Sequence, residues 1–260
     1  MLIKKSIKQC AGKERTIRMK ILIMSDIHGN EQALNAVIEK AGMNYKIDAC
    51  FLLGDHIDYG MHSNEVIQRI KSLPYPILCN IRGNHEEAVI HEDYESFSSE
   101  RGKQSAQYTG GILNDSSWEY IRDEMSPCGM ITFECAHKKC LAVHGSLEDQ
   151  YWGSLNFDKD LSDYSDFDYV FSGHSHQPHF AERYFPVEDA RMRNRKKVIF
   201  INPGSVGQPR NHNPMAQFAV LDMQTETVIF DKAVYDIAKE QSAYVGQVDD
   251  FYRARLEVGV

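Results

Sequence analysis

The stretch Ala49-Cys50-Phe51-Leu52-Leu53-Gly54-Asp55-His56-Ile57-Asp58 decides the fold. A short apolar run bounded by glycine reads as a buried strand, and the carboxylates after it stand at the strand's carboxyl end. Ligands and chemistry collect at that edge in open α/β sheets. Four further apolar runs finish in the same way, in His, Asp or Asn beside glycine: Lys20 to Asn30, Ile77 to Glu86, Cys140 to Ser146 and Tyr169 to Pro178. Asp55 is therefore read as the hub of one metal site, to which the other four strand ends contribute.

Outward from the hub, Ile21 to Met24 forms the preceding strand. A helix follows it with Leu34, Val37, Ile38 and Ala41 on its apolar face and Gly42 at its end. On the other side, Ser63 or Asn64 caps a helix carrying Val66, Ile67 and Ile70, and Ile77 to Ile81 makes a third strand. Strand, helix, strand, helix, strand implies parallel pairing through right-handed crossovers. Residues 87–125 are polar and helical in parts, with Trp118, Tyr120 and Ile121 as anchors, and read as an insertion above the sheet where substrate choice is made. Strands then dominate: Ile131 to Phe133, Leu141 to Val143, Tyr169 to Phe171, Val198 to Ile201, Gln217 to Leu221 and Thr227 to Phe230, before a helical tail over 235–258. No repeat or long linker divides residues 19–260, which are expected to form one domain.

The bulk properties narrow the class. With 42% hydrophobic and 25% charged residues among 260, and no apolar run long enough to span a bilayer, the chain is expected to be soluble and without a membrane partner. Six cysteines without C-x-x-C spacing suggest buried free thiols in a reducing cytoplasm. Seven basic residues against Glu14 give residues 1–20 a net charge of +6, which leaves −14 of the formal −8 on the remainder. So acidic a body argues against nucleic acid as a partner and leaves room for a small phosphorylated substrate. Residues 1–18 read as a disordered basic extension ahead of a natural start at Met19, and self-association into an oligomer stays open.

Taken singly, Asp26-x-His28, Gly54-Asp55-x-x-Asp58 and Val143-His144-Gly145 are weak signals, because such residues also serve ordinary turns. Gly83-Asn84-His85-Glu86 is sharper, and Gly173-His174-Ser175-His176 places two imidazoles in a glycine turn suited to metal ligation. All five follow apolar strands and offer nitrogen and oxygen donors without thiolates. That donor set favours Mn, Fe, Zn or Ni over Ca or Mg, and one carboxylate can span two such ions about 3.5–4 Å apart. His56, His62, His91, His137, His179 and His212 read as surface or supporting residues, the last two with some claim to approach substrate. Phe97, Tyr108 and Trp118 read as insertion core.

In this order the blocks resemble the calcineurin-like metallophosphoesterases across residues 19–258, and Asn202-Pro203-Gly204-Ser205-Val206-Gly207-Gln208-Pro209-Arg210 resembles a loop of their small bacterial and archaeal phosphodiesterase branch. The resemblance implies a four-layer α/β/β/α sandwich of two mixed sheets, with the site at the carboxyl ends of the strands. It implies two divalent transition-metal ions, Mn favoured. Asp26, His28 and His176 would hold one, Asn84, His144 and His174 the other, and Asp55 would bridge them. A water shared by the two cations would lose its proton near neutral pH and attack phosphorus in line. His85 would meet the leaving oxygen as general acid or transition-state donor, oriented and charged by Asp58. Tyr59 stands where the protein-phosphatase branch carries an arginine, so Asn30, Arg82 and Arg210 are the candidates for holding substrate. The implied activity is hydrolysis of phosphodiester or nucleotide phosphate bonds. Dinucleoside-polyphosphate hydrolysis and Ser/Thr-type protein phosphatase activity are the rivals, and an inactive metal-binding scaffold is the remote one.

Overall fold

The computed structural model describes residues 19–260, so the expectation for residues 1–18 lies outside the described residues. Its first half alternates as expected: β1 (Lys20–Met24), α1 (Glu31–Asn44), β2 (Ala49–Leu52), α2 (Ser63–Lys71) and β3 (Ile77–Asn80). β1, β2 and β3 pair in parallel. The sheet is completed by β9 (Ala216–Asp222), antiparallel to β1, and β10 (Thr227–Ala233) beyond it. A second sheet runs β4 (Met130–Cys135), β5 (Lys138–Val143), β6 (Tyr169–Ser172), β8 (Arg195–Asn202) and β7 (His179–Pro186), with β5, β6 and β8 parallel.

Period-two alternation explains why the strand sequences are apolar throughout. Ile21, Ile23 and Phe51 point into the seam between the sheets, where they meet Ala142, Phe171 and Ile201. Leu22, Met24, Cys50 and Leu52 point the other way, into a layer built with α1 and α2. A strand covered on both faces reads as a continuous hydrophobic run. The second sheet's outer face, with Val143, Val170 and Phe200, is covered by the segment holding Leu161, Tyr164 and Phe167, whose regular part is one 3₁₀ turn at Ser162–Tyr164. The result is two mixed five-stranded sheets face to face, flanked by helices.

Several local expectations change. α1 runs through Gly42 to Asn44, because the burial of Leu34, Val37, Ile38 and Ala41 outweighs the ~1 kcal/mol that a helical glycine costs. α2 is preceded by His62, not capped by the Ser63 or Asn64 side chains. Ser63 Oγ accepts from Asp58 N, and Asn64 binds Ile112 O and Asn114 N. Residues 84–124 form α3 (Asn84–His91), α4 (Glu100–Ile112), α5 (Asp115–Glu119) and a π turn at Tyr120–Glu124. β7 was not expected, since it is a half-exposed edge strand. The tail breaks into α6 (Ile237–Gln241), α7 (Asp250–Ala254) and a 3₁₀ turn at Arg255–Glu257.

α6 is tied to the first half by Glu240, a fully buried carboxylate that accepts from His62 Nδ1 at 3.0 Å and Gln32 N at 3.4 Å. The hydrogen bond to Glu240 raises the His62 pKa above the ordinary imidazole value, against the lowering effect of burial. The stability it contributes is complete below about pH 6.5 and is lost as pH rises through the raised folded value. Because His62 is partly exposed, the effect is on the order of 1 kcal/mol. The thermal midpoint of His62→Gln is expected to fall furthest below wild type in mildly acidic buffer, with the gap closing as pH rises. A gap independent of pH would refute this linkage.

Candidate metal centre

Six strand ends reach one rim. β1 leads into Asp26 and His28, β2 into Asp55 and Asp58, β3 into Asn84 and His85, β5 into His144, β6 into His174 and His176, and β8 into the loop through Arg210. The sharp exits are visible in the backbone. Asp26, His28, Asp55, His174 and His176 all have φ between 49° and 61°, the left-handed region that costs a non-glycine residue about 1–2 kcal/mol. Such conformations persist where the surroundings hold them for a purpose. Gly54 and Gly83 let β2 and β3 approach: a Cβ on Gly83 would lie 2.1 Å from Asp55 Oδ1, and one on Gly54 would lie 2.5 Å from Gly83 N.

The donor atoms fall into two sets that share Asp55. Asp26, His28, Asp55 and His176 bring one ligand atom each within 4.8 Å of one another, and so do Asp55, His144 and His174. Asn84 Oδ1 joins the second set, 3.0 Å from His144 Nε2 and 2.9 Å from His174 Nδ1. Asp55 Oδ2 is 3.8 Å from His28 Nε2 and 3.1 Å from His144 Nε2, so a single oxygen faces both sets. Three imidazoles are oriented from behind by backbone carbonyls: His28 Nδ1 on Ile57 O, His144 Nδ1 on Leu53 O and His176 Nδ1 on Gln208 O. Donation from Nδ1 leaves the Nε2 lone pair turned inward, the tautomer a metal ligand needs.

Whether these residues fit cations is decided by their unspent oxygens. Asp26 Oδ1, Asp26 Oδ2 and Asp55 Oδ2 are buried and have no hydrogen-bond partner among the described residues. Buried carboxylate oxygens without partners are costly unless they are paired or coordinate a metal. Protonation follows the same tension. Burial, aided by Asp55 and opposed by His144, raises the Asp26 carboxyl to about 7. At Asp55 burial also pushes up, but His144, His85 and His28 outweigh it and hold the group well below the usual carboxylate range. Burial drives His28 and His176 well below the ordinary imidazole value and takes His174 to about 3, so all three stand neutral with lone pairs to donate. His144 is opposed by burial but carried up to about 10 by Asp55. A cation between the sets would supply the positive charge the carboxylates draw from it.

His85 stands beside this cluster. Its Nδ1 is 2.6 Å from Asp58 Oδ2, and its Nε2 is 3.9 Å from Asp55 Oδ2. The ring is boxed by His28, Tyr59 and Phe97 at centroid distances of 4.7, 4.5 and 5.0 Å. Burial lowers its pKa, yet Asp55 and Asp58 together lift it above the ordinary value. Asp58 Oδ1 in turn accepts from Ser105 Oγ at 2.6 Å and Thr109 Oγ1 at 3.0 Å. α4 therefore holds the carboxylate that orients His85. Glu86 is equally structural: its carboxylate takes the N–H groups of Asp55, His56, Ile57 and Gly83 and shapes the hub loop.

Ser105, Thr109 and Glu86 were not singled out as site residues. A Ser and a Thr four apart on one helix face are the faint signal the first two carry. Of the substrate-holding candidates, Asn30 spends its oxygen on Ala33 N and its amide on Gly207 O and Tyr235. Arg82 is engaged with the carbonyls of Ile121 and Arg122. Arg210 is partly exposed, and its guanidinium makes no hydrogen bond or ion pair among the described residues. Phe97 is core, as expected, but core that touches His85 and Trp152.

Comparison with known proteins adds family context. The model of the calcineurin-like phosphoesterase superfamily domain matches residues 19–226. An uncharacterized protein of Methanocaldococcus jannaschii is 27% identical over 250 residues, covering 94% of this chain and 99% of that protein. The crystal structure of a metallophosphoesterase from Sphaerobacter thermophilus is 26% identical and superposes with a TM-score of 0.71 over 94% of this chain and 100% of that one. A hypothetical protein from Pyrococcus horikoshii shares the fold at 21% identity, with a TM-score of 0.77 over 93% of this chain and 99% of its own.

Proposed function

We propose, from the premise that the chain belongs to the calcineurin-like phosphoesterase superfamily, that it hydrolyses phosphate esters of small molecules with two divalent transition-metal ions. One ion is assigned to Asp26, His28 and His176, the other to Asn84, His144 and His174, with Asp55 shared. The observation that carries this reading is the pair of donor sets meeting at Asp55, with three buried carboxylate oxygens unspent. Nitrogen and oxygen donors without thiolate suit Mn, Fe, Zn or Ni, and Mn is the ion to test first. When bound, such cations acidify water and offset the charge on phosphoryl oxygens.

The chain's own residues supply the rest. His85 holds a proton at Nε2 for the departing ester oxygen while Nδ1–H is held by Asp58. Ser105 and Thr109 fix Asp58, and the rings of Tyr59 and Phe97 fix His85. Arg210 is assigned to the substrate, at phosphoryl oxygens other than those of the ester being cleaved. Five free cysteines among the described residues support a reducing, cytoplasmic setting. Among those residues no helix is long and apolar enough to cross a membrane.

The test is hydrolysis by Mn-loaded protein of a matched panel: a phosphodiester, a phosphomonoester, a diadenosine polyphosphate and a phosphopeptide. A clear preference that disappears in His85→Ala is the expected outcome. No turnover on any member, with two cations bound, would overturn the reading.

A further inference from the structure

Two arginines on segments that dock at the rim, Arg210 and Arg255, meet no acceptor among the described residues. Arg255 lies in the 3₁₀ turn after α7 and is only 6% exposed, yet its Nε has no hydrogen-bond partner among the described residues. Neither its guanidinium nor that of Arg210 enters an ion pair or side-chain hydrogen bond with any described residue. Beneath Arg255 lies the Phe251 ring, 5.1 Å from its guanidinium carbon, and Arg101 of α4 covers the same ring at 3.8 Å. This corner is therefore cationic on aromatic support, without the carboxylate that ordinarily accompanies a buried arginine.

Its place relative to the metal centre follows from two contacts. Tyr252 of α7 stacks on Tyr59 at 4.3 Å with an interplanar angle of 18°, and Tyr59 packs on His28 and His85 at 4.6 and 4.5 Å. On the other side, His212 N–H donates to Gly259 O at 2.7 Å, while Arg210 N–H reaches His176 O at 3.4 Å. The C-terminal turn is thus docked between the loop carrying Arg210 and the tyrosine that abuts the catalytic histidine. Burial first, then the charge of Arg210, lowers the pKa of Arg255 to about 10.

A buried guanidinium with no partner among the described residues, on a turn docked against the loop that carries a second one, is suited to an anion, since planar forks of N–H donors match phosphoryl oxygens. We propose that Arg255 and Arg210 together bind a second phosphoryl group of the substrate, one removed from the ester being cleaved. The preferred substrate is then a polyphosphorylated ester, not a compound with a single phosphate. This rests on the phosphoesterase reading above for the place of the cleaved ester. Arg210, the more exposed of the two, meets the incoming group, and Arg255 closes on it from behind.

The experiment measures adenosine triphosphate and adenosine monophosphate binding to the Mn-loaded full chain by calorimetry at fixed free Mn²⁺, with metal content and thermal unfolding checked for each variant. Wild type is expected to bind the triphosphate at least tenfold more tightly than the monophosphate. Arg255→Gln is expected to weaken the triphosphate tenfold or more and the monophosphate less than threefold, with Arg255→Lys between. Should Arg255→Gln not fold, Arg210→Gln carries the same comparison. Competition by inorganic tripolyphosphate as effective as by the nucleotide would assign recognition to the phosphate chain alone, and weaker competition would add a share for the nucleoside. An unchanged triphosphate-to-monophosphate ratio in the variant, or no preference in wild type, overturns the proposal. The altered ratio in a protein that hydrolyses no member of the panel would retain the anion site and discard the phosphoesterase reading.

Discussion

Asp55→Asn is expected to lower metal occupancy at both positions and to reduce phosphoester turnover by about a thousandfold, the worth of several kcal/mol of cationic stabilisation. The substitution is nearly isosteric. Its amide oxygen can still accept the His85 N–H that Asp55 Oδ1 accepts at 3.0 Å. The amide nitrogen then occupies the place of Oδ2, the oxygen that faces His28 at 3.8 Å and His144 at 3.1 Å. Two hydrogens directed at both donor sets would repel the cations that one carboxylate oxygen attracts. Metal content by elemental analysis after dialysis, with circular dichroism to confirm the fold, measures this. A variant that keeps two fully occupied positions contradicts the shared role of Asp55.

His85→Ala should behave in the opposite way with respect to metal. No donor set includes His85, so the variant is expected to bind cations as wild type does and to lose about 10²–10⁴-fold in kcat. Asp58→Asn is expected to cost less, about tenfold to a hundredfold, since His85 remains but loses the carboxylate 2.6 Å from its Nδ1. Removing both hydroxyls that hold Asp58, in a Ser105→Ala, Thr109→Val double variant, should move in the same direction as Asp58→Asn by a smaller factor. Steady-state kinetics on the best member of the substrate panel distinguishes these cases. Equal kcat for wild type and His85→Ala would remove His85 from the mechanism.

The parts of this molecule legible in its sequence are those whose signal is local. Except at the edge strand β3, each ligand-bearing turn follows a strand whose last residues are buried on both faces, so the boundary between hydrophobic run and polar turn marks the rim of the sheet. Cys50 and Leu52 packing one way and Phe51 the other is why Ala49 to Leu53 reads as unbroken. The edge strand β7 was missed because His179 to Pro186 is half exposed along its length and carries charge at Glu182 and Arg183. Contacts between distant segments leave no periodic trace. The hold of Ser105 and Thr109 on Asp58 joins residues 47 and 51 positions apart. The docking of Tyr252 on Tyr59 depends on how a tail of two short helices folds back over the rim, and spacing cannot express that. Arg82 and Arg210 are equivalent in the sequence as candidate phosphate holders, and only their surroundings separate them: two carbonyls hold the first, while no acceptor among the described residues meets the second.

The most direct measurement is a Mn²⁺ titration of the metal-stripped chain, counting bound ions while following hydrolysis of a chromogenic phosphodiester in the same samples. Two ions per chain, with turnover appearing as the second position fills, is the result that two donor sets sharing Asp55 require. Binding of a single ion at saturation, or turnover that persists in chelator, would contradict a dinuclear centre built on Asp55.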